Sequence, residues 1–100
     1  MNTFEFAVIN EYNRVKLLNE CEKLSEKQLD IINTCCDSAW AELSENDFKN
    51  ILSENEENTL YTDIKNAVQN VLNEYNLSFS DSRCYYYLID GLYELLEHRF

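Results

Sequence analysis

One hundred residues with 19 Asp and Glu against 8 Lys and Arg carry a formal net charge of −11 at pH 7, a balance that repels nucleic-acid phosphates and attracts basic surfaces. The length suits a single domain over residues 1–100 with one core, and 45% hydrophobic residues give it enough apolar surface to fold, unlike a disordered acidic tail. With no Pro and one Gly, Gly91, the turn chemistry of hairpins and sandwiches is nearly absent. The expected class is therefore all-α, a compact bundle of about four or five helices.

Phe4, Val8, Tyr12, Val15 and Leu18 recur at helical spacing, while Phe6, Ile9, Leu17 and Cys21 lie off that stripe. Such a helix is either buried on two sides or broken. A competing reading makes residues 4–9 an alternating strand of Phe4, Phe6 and Val8, pairing with Leu77 and Phe79 in residues 77–79. A two-stranded ribbon of this kind needs helices to pack against.

Two helix starts share one grammar, Leu24-Ser25-Glu26-Lys27-Gln28-Leu29 and Leu43-Ser44-Glu45-Asn46-Asp47-Phe48. In each, the Ser side chain accepts from a first-turn amide and the preceding Leu folds over the later apolar residue; Gln28 completes a reciprocal capping box in the first. From Ser25, the residues Leu29, Ile32, Cys36, Trp40 and Leu43 share one helical face. A short helix over residues 47–52 is expected to bury Phe48, Ile51 and Leu52, and residues 53–58 to form an acidic loop. Residues 59–75 hold the clearest amphipathic pattern, with Leu60, Ile64, Ala67, Val68, Val71, Leu72 and Tyr75 on the apolar stripe and Asn66, Gln69, Asn70 and Asn73 facing water. Asn76 reads as a stop. Ser80-Asp81-Ser82 reads as a start whose acid suits the positive end of a helix dipole, and the last helix runs toward His98.

Chemistry-bearing patterns are few. The four cysteines, Cys21, Cys35, Cys36 and Cys84, lack the spacing of zinc or redox sites and read as reduced, mostly buried thiols. The single His, His98, lies fourteen positions from Cys84 on one helix, about four turns away, which rules out a dyad along it. No EF-hand, Walker or dinucleotide fingerprint is present, so no catalytic residue, metal ligand or cofactor is assigned. Residues 1–6 lack a basic start and an apolar run, and no stretch approaches the length of a membrane span. A cytoplasmic chain with no membrane partner is expected.

The acids are clustered. Asp37, Glu42, Glu45, Asp47, Glu54, Glu56 and Glu57 gather in a stretch whose only base is Lys49. Asp90, Glu94 and Glu97 recur on one face of the last helix. On that helix Leu88, Ile89, Leu92, Leu95 and Leu96 define the apolar arc, and the run Tyr85-Tyr86-Tyr87 is too wide to fit inside it. Helical phase turns Tyr87 outward beside Asp90 and Glu94 and sets Tyr86 at the boundary. Tyrosine among carboxylates suits an anchor for an Arg-rich surface. Against this stands the plain alternative of a solubilising acidic surface, with the tyrosines covered by neighbouring helices.

The candidate partner-binding residues are therefore Tyr86, Tyr87, Asp90, Glu94 and Glu97, with Glu42, Glu45, Asp47, Glu54, Glu56 and Glu57. The function expected is that of a non-enzymatic inhibitor or antidote that occludes the basic, nucleic-acid-binding surface of a partner protein, itself binding no nucleic acid. In size and charge alone the chain resembles phage-borne inhibitors of defence nucleases, such as anti-CRISPR or anti-restriction proteins, and immunity proteins of nuclease toxins. Carboxylates one turn apart repeat about every 6 Å along a helix, whereas phosphates on a DNA strand recur about every 3.4 Å, so mimicry needs both acidic groups on one side. The alternatives are an oligomeric adaptor with a Tyr-rich self-interface and, ranked last, a metal-dependent or thiol enzyme.

Overall fold

The computed structural model describes residues 2–20, 23–52, 57 and 59–99. Its elements are α1 (Thr3–Glu20), α2 (Glu26–Ala41), α3 (Glu45–Lys49), α4 (Leu60–Glu74) and α5 (Ser82–Arg99), and no strand occurs among the described residues. The radius of gyration is 13.6 Å, close to the value of about 13 Å for a compact chain of this length.

Each start has a local cause. Asn2 caps α1: its Oδ1 accepts from the Glu5 amide at 2.8 Å while its Nδ2 donates to Glu5 Oε1 at 3.1 Å. Ser25 and Gln28 form the expected box at α2, and Ser44 pairs with Asp47 in the same way at α3. Thr59 caps α4 through the Thr62 amide, and Asp81 Oδ1 accepts from the Arg83 amide at 2.9 Å as α5 begins. The end of α4 is equally explicit. Asn76 adopts φ 54°, the Leu77 amide donates back to the Leu72 carbonyl at 2.8 Å and the Asn76 amide to Asn73 at 3.3 Å, which is a Schellman stop with Asn in the left-handed position.

The strand reading for residues 4–9 and 77–79 is corrected. Residues 3–20 form one unbroken helix, because the stripe Phe4, Ala7, Val8, Glu11, Tyr12 and Val15 is buried at helical period and Phe6, which a strand would place beside Phe4 and Val8, is 47% exposed. The off-stripe residues Phe6 and Leu17, and Leu18 as well, face outward, so the helix is buried on one side. Residues 77–79 are an extended connection that packs on α1, with Tyr12 Oη donating to the Ser78 carbonyl at 2.5 Å and the Tyr12 and Phe79 rings 4.6 Å apart. The short helix also differs: α3 starts at Glu45, ends at Lys49, and leaves Leu52 exposed with Phe48 and Ile51 half-buried.

One cluster joins the helices, with Val8, Ile64, Val68, Leu88, Ile89 and Leu92 at its fully buried centre. α1 packs against all four other helices, and α5 packs on α1 and α4. α5 runs antiparallel to α1: Glu20 accepts from the Ser80 amide near one end, and Gly91 faces Glu11 near the middle. α2 also lies antiparallel on α1, bringing Cys36 and Trp40 to Glu11 and Asn33 to Arg14.

Candidate functional site

The exposed face of α5 carries Tyr86, 49% exposed, and Tyr87, 54% exposed, with Asp90, Glu94 and Glu97 all exposed along the same ridge. Neighbouring helices leave about half of each of these tyrosines exposed; among the described residues of α5 the fully buried arc is Cys84, Leu88, Ile89, Leu92 and Leu96, flanked by half-buried Tyr85 and Tyr93. α4 stiffens the ridge from one side. Tyr61 Oη donates to Asp90 Oδ1 at 3.0 Å, the Tyr61 and Tyr93 rings meet edge-on at 5.6 Å, and Lys65 Nζ lies 6.0 Å from the centre of the Tyr86 ring. Partial burial, and then the bond to Asp90, raise the Tyr61 hydroxyl above its ordinary pKa.

The other predicted acids are placed differently. Glu42 is exposed beside Asn2, Thr3 and Phe6. Glu45 pairs with Lys49 at 3.3 Å, and Asp47 completes the capping box of Ser44 at the start of α3, its carboxyl held below the usual range by the Ser44 amide and hydroxyl. Glu57 is exposed; Glu54 and Glu56 lie outside the described residues. α3 packs on α1 whereas α5 packs on α1 and α4, so the two acidic groups belong to different helix packings.

The structure brings forward a residue that charge counting passed over. Glu11 sits on the buried stripe of α1 with its side chain 6% exposed. Arg14 Nη2 lies 2.7 Å from Oε1 and 2.6 Å from Oε2, the Cys36 thiol donates to Oε2 at 3.1 Å, and the Trp40 indole N–H donates to the same oxygen at 3.4 Å. A buried carboxylate is tolerated only when paired and hydrogen-bonded, and here one ion pair and two donors from α2 meet that need. The signal was present in the sequence: an acid one turn after Ala7 and three residues before Arg14, inside an apolar 3.6 period. Gly91, the only glycine, falls opposite Glu11 on the central stretch of α5, where glycine costs a helix about 1 kcal/mol relative to Ala.

Beside this cluster α1, α2 and α5 enclose an open cavity of about 550 Å³, lined by Glu11, Arg14, Trp40, Gly91, Glu94, Leu95, Leu96 and His98. Glu94 thus belongs both to the exposed ridge and to the cavity wall.

Cys36 and Cys84 are buried. Burial, then the bond to Glu11 and its charge, push Cys36 from its ordinary 9.0 up to about 12. Burial likewise raises Cys84. Cys35 is exposed, turned away from the core by one helical step, so two of the three described thiols are buried; Cys21 lies outside the described residues. The folded protein holds the Cys36 proton where the unfolded chain releases it, so this contribution to stability is full below about pH 9 and is lost as pH rises toward about 12. Tyr75, whose hydroxyl donates to Glu5 Oε2 at 2.6 Å and is raised to about 12 mainly by that bond, acts in the same direction. Urea midpoints at about pH 8 and about pH 10.5 should therefore fall with rising pH, and the fall should be shallower in Cys36→Ala. An equal fall in both proteins would show that the thiol does not contribute.

Among the described residues no group of three or more His, Cys, Asp or Glu side chains could hold a metal ion, and no helix is long and apolar enough to cross a membrane. Comparison with family models, with curated proteins and with solved structures finds no match. The functional reading accordingly rests on the chemistry of the surface and the cavity.

Proposed function

We propose that this chain is a non-enzymatic binding protein that covers a basic, nucleic-acid-binding surface of a partner protein, in the manner of an inhibitor of a defence nuclease or an immunity protein of a nuclease toxin. The observation that supports this reading is the pairing of two exposed tyrosines, Tyr86 and Tyr87, with the exposed carboxylates of Asp90, Glu94 and Glu97 on one helix face. Tyrosine provides rigid contact area at small entropic cost and stacks on guanidinium groups, while clustered carboxylates accept their hydrogen bonds. The net charge of −11 draws a cationic partner from a distance and speeds encounter. Tyr61 holds Asp90 and Lys65 lies near the Tyr86 ring, so part of the surface is ordered before contact, which lowers the cost of binding. A self-interface through the same ridge would set like charges against one another, so the oligomeric adaptor is the weaker reading.

The test is affinity capture from a host lysate with the native chain and with the triple variant Asp90→Asn, Glu94→Gln, Glu97→Gln, followed by purified-component binding over a salt series. A cationic partner retained by the native chain should bind the variant about tenfold or more weakly at low salt, with a flatter salt dependence. Tyr87→Ala should chiefly raise the dissociation rate. A partner that binds native and variant chains equally, with no salt dependence, would contradict the proposal.

A further inference from the structure

The cavity between α1, α2 and α5 has a chemistry that docking along the ridge does not use. Its walls are apolar at Trp40, Leu95 and Leu96 and polar at Glu11, Arg14, Glu94 and His98. Gly91 lines it beside Glu11: a Cβ added there would meet Glu11 Oε1 at 3.8 Å, ordinary van der Waals contact. Helix packing thus has room for alanine, which would favour the helix; what the missing side chain preserves is open volume next to a buried carboxylate.

The electrostatics select the occupant. Glu11 Oε2 takes the Cys36 and Trp40 donors and faces Arg14, whereas Oε1, the atom nearest to Gly91, takes a hydrogen bond from Arg14 and has acceptor capacity for a second donor. Arg14 and Glu11 neutralise each other, and Glu94 adds a carboxylate that no further Arg or Lys among the described lining residues balances. An anion would have to displace Glu11 from Arg14; a single cation meets an unbalanced negative charge. The volume of about 550 Å³ lies within the range of small-molecule sites, about 300–1,000 Å³, and exceeds what one arginine side chain would fill.

We propose that this cavity binds a small organic monocation, a guanidinium or ammonium group on an aromatic or branched apolar body, with its head between Glu11 Oε1 and Glu94 and its body against Trp40, Leu95 and Leu96. The site stands apart from the ridge reading: Glu94 is common to both, but Glu11, Trp40 and Gly91 are not on the exposed ridge.

The chain contains one tryptophan, Trp40, so its emission and its indole N–H resonance report on the cavity directly. The probes are phenethylguanidinium, its neutral analogue phenethylurea, and a capped Ala-Arg-Ala tripeptide. Saturable change of both Trp40 signals by phenethylguanidinium is expected, with the urea inactive, binding weakened about fivefold or more in Glu94→Gln, and binding abolished in Gly91→Leu while the Tyr86 and Tyr87 amide resonances keep their positions. Glu94 is exposed, so its variant keeps the test valid if Gly91→Leu fails to fold. Five results would each overturn the proposal: no saturable effect, an equal effect of the urea, binding to Glu94→Gln as tight as to the native chain, a phenethylguanidinium response unchanged in a folded Gly91→Leu protein, or a response to the tripeptide alone, which would mark the cavity as a seat for a protein side chain.

Discussion

Glu11→Ala is expected to cost about 3–5 kcal/mol, the range for removing one partner of a buried ion pair, and so to consume a large part of a total stability of about 5–15 kcal/mol. The substitution takes a shared acceptor from three groups at once, the Arg14 guanidinium, the Trp40 indole N–H and the Cys36 thiol, while Arg14 Nη1 keeps Asn33 and Asp37 nearby. Arg14 is 22% exposed and can recover some hydration, which places the effect toward the lower end. Glu11→Gln keeps the shape and one acceptor but loses the charge facing Arg14, so it should restore less than half of the loss. The double variant Glu11→Met, Arg14→Met should restore the part owed to the Arg14 charge, because an apolar pair of similar volume removes both buried charges, but not the part owed to the Trp40 indole N–H and the Cys36 thiol, which still lose this acceptor. Urea denaturation followed at Trp40 measures all three. A Glu11→Ala protein as stable as the native one would show that the buried carboxylate is dispensable to the docking of α2 on α1.

Leu92→Ala is the second large effect, with an expected loss of about 2–5 kcal/mol from transfer and cavity terms together. Leu92 is fully buried in the cluster where α5 meets α1 and α4. Its neighbour Gly91 has no side chain to swing into the gap, and Leu88, Ile89 and Leu96 are themselves held at or near complete burial, so little collapse can relieve the void. The loss should be global, lowering the midpoint reported by Trp40 on α2 and by the far-ultraviolet helical signal together. Leu95→Ala, on the same helix but 41% exposed, should cost much less. Comparable losses in the two variants would contradict the placement of the core.

What was legible in the sequence follows from where local chemistry decides the outcome. The boundaries of α4 came from an unbroken apolar stripe and from Asn76, whose short amide side chain suits the left-handed position it occupies. The starts of α2 and α3 came from Ser25 and Ser44, whose capping partners lie three residues away. The first helix was ambiguous because Phe6, Leu17 and Leu18 are apolar yet exposed, which blurs the period, and because its cap is an Asn2–Glu5 pair without the Leu-Ser signature that marks α2 and α3.

On the functional side, the exposure of Tyr87 was legible from the angle swept by three consecutive tyrosines. Glu11 beside Arg14 on the apolar stripe was legible too, but the cluster around it was not, since Cys36 and Trp40 come from another helix and Gly91 from a third, and only the tertiary arrangement places them together. The division of the acids between α3 and α5 was hidden for the same reason: spacing along the chain reports a shared helix face but not which helices pack side by side.

The most direct measurement of the central claim, that the tyrosines and acids of α5 form a localised site for cationic protein surfaces, is an amide chemical-shift titration of the isotope-labelled chain with a short arginine-rich peptide. The account predicts shifts confined to Tyr86, Tyr87, Asp90, Glu94, Glu97 and their α4 neighbours Tyr61 and Lys65, diminishing as salt is raised. Shifts of equal size at Glu42, Glu45, Asp47 and Glu57, or none on α5, would contradict it and leave the acidity as a uniform surface property.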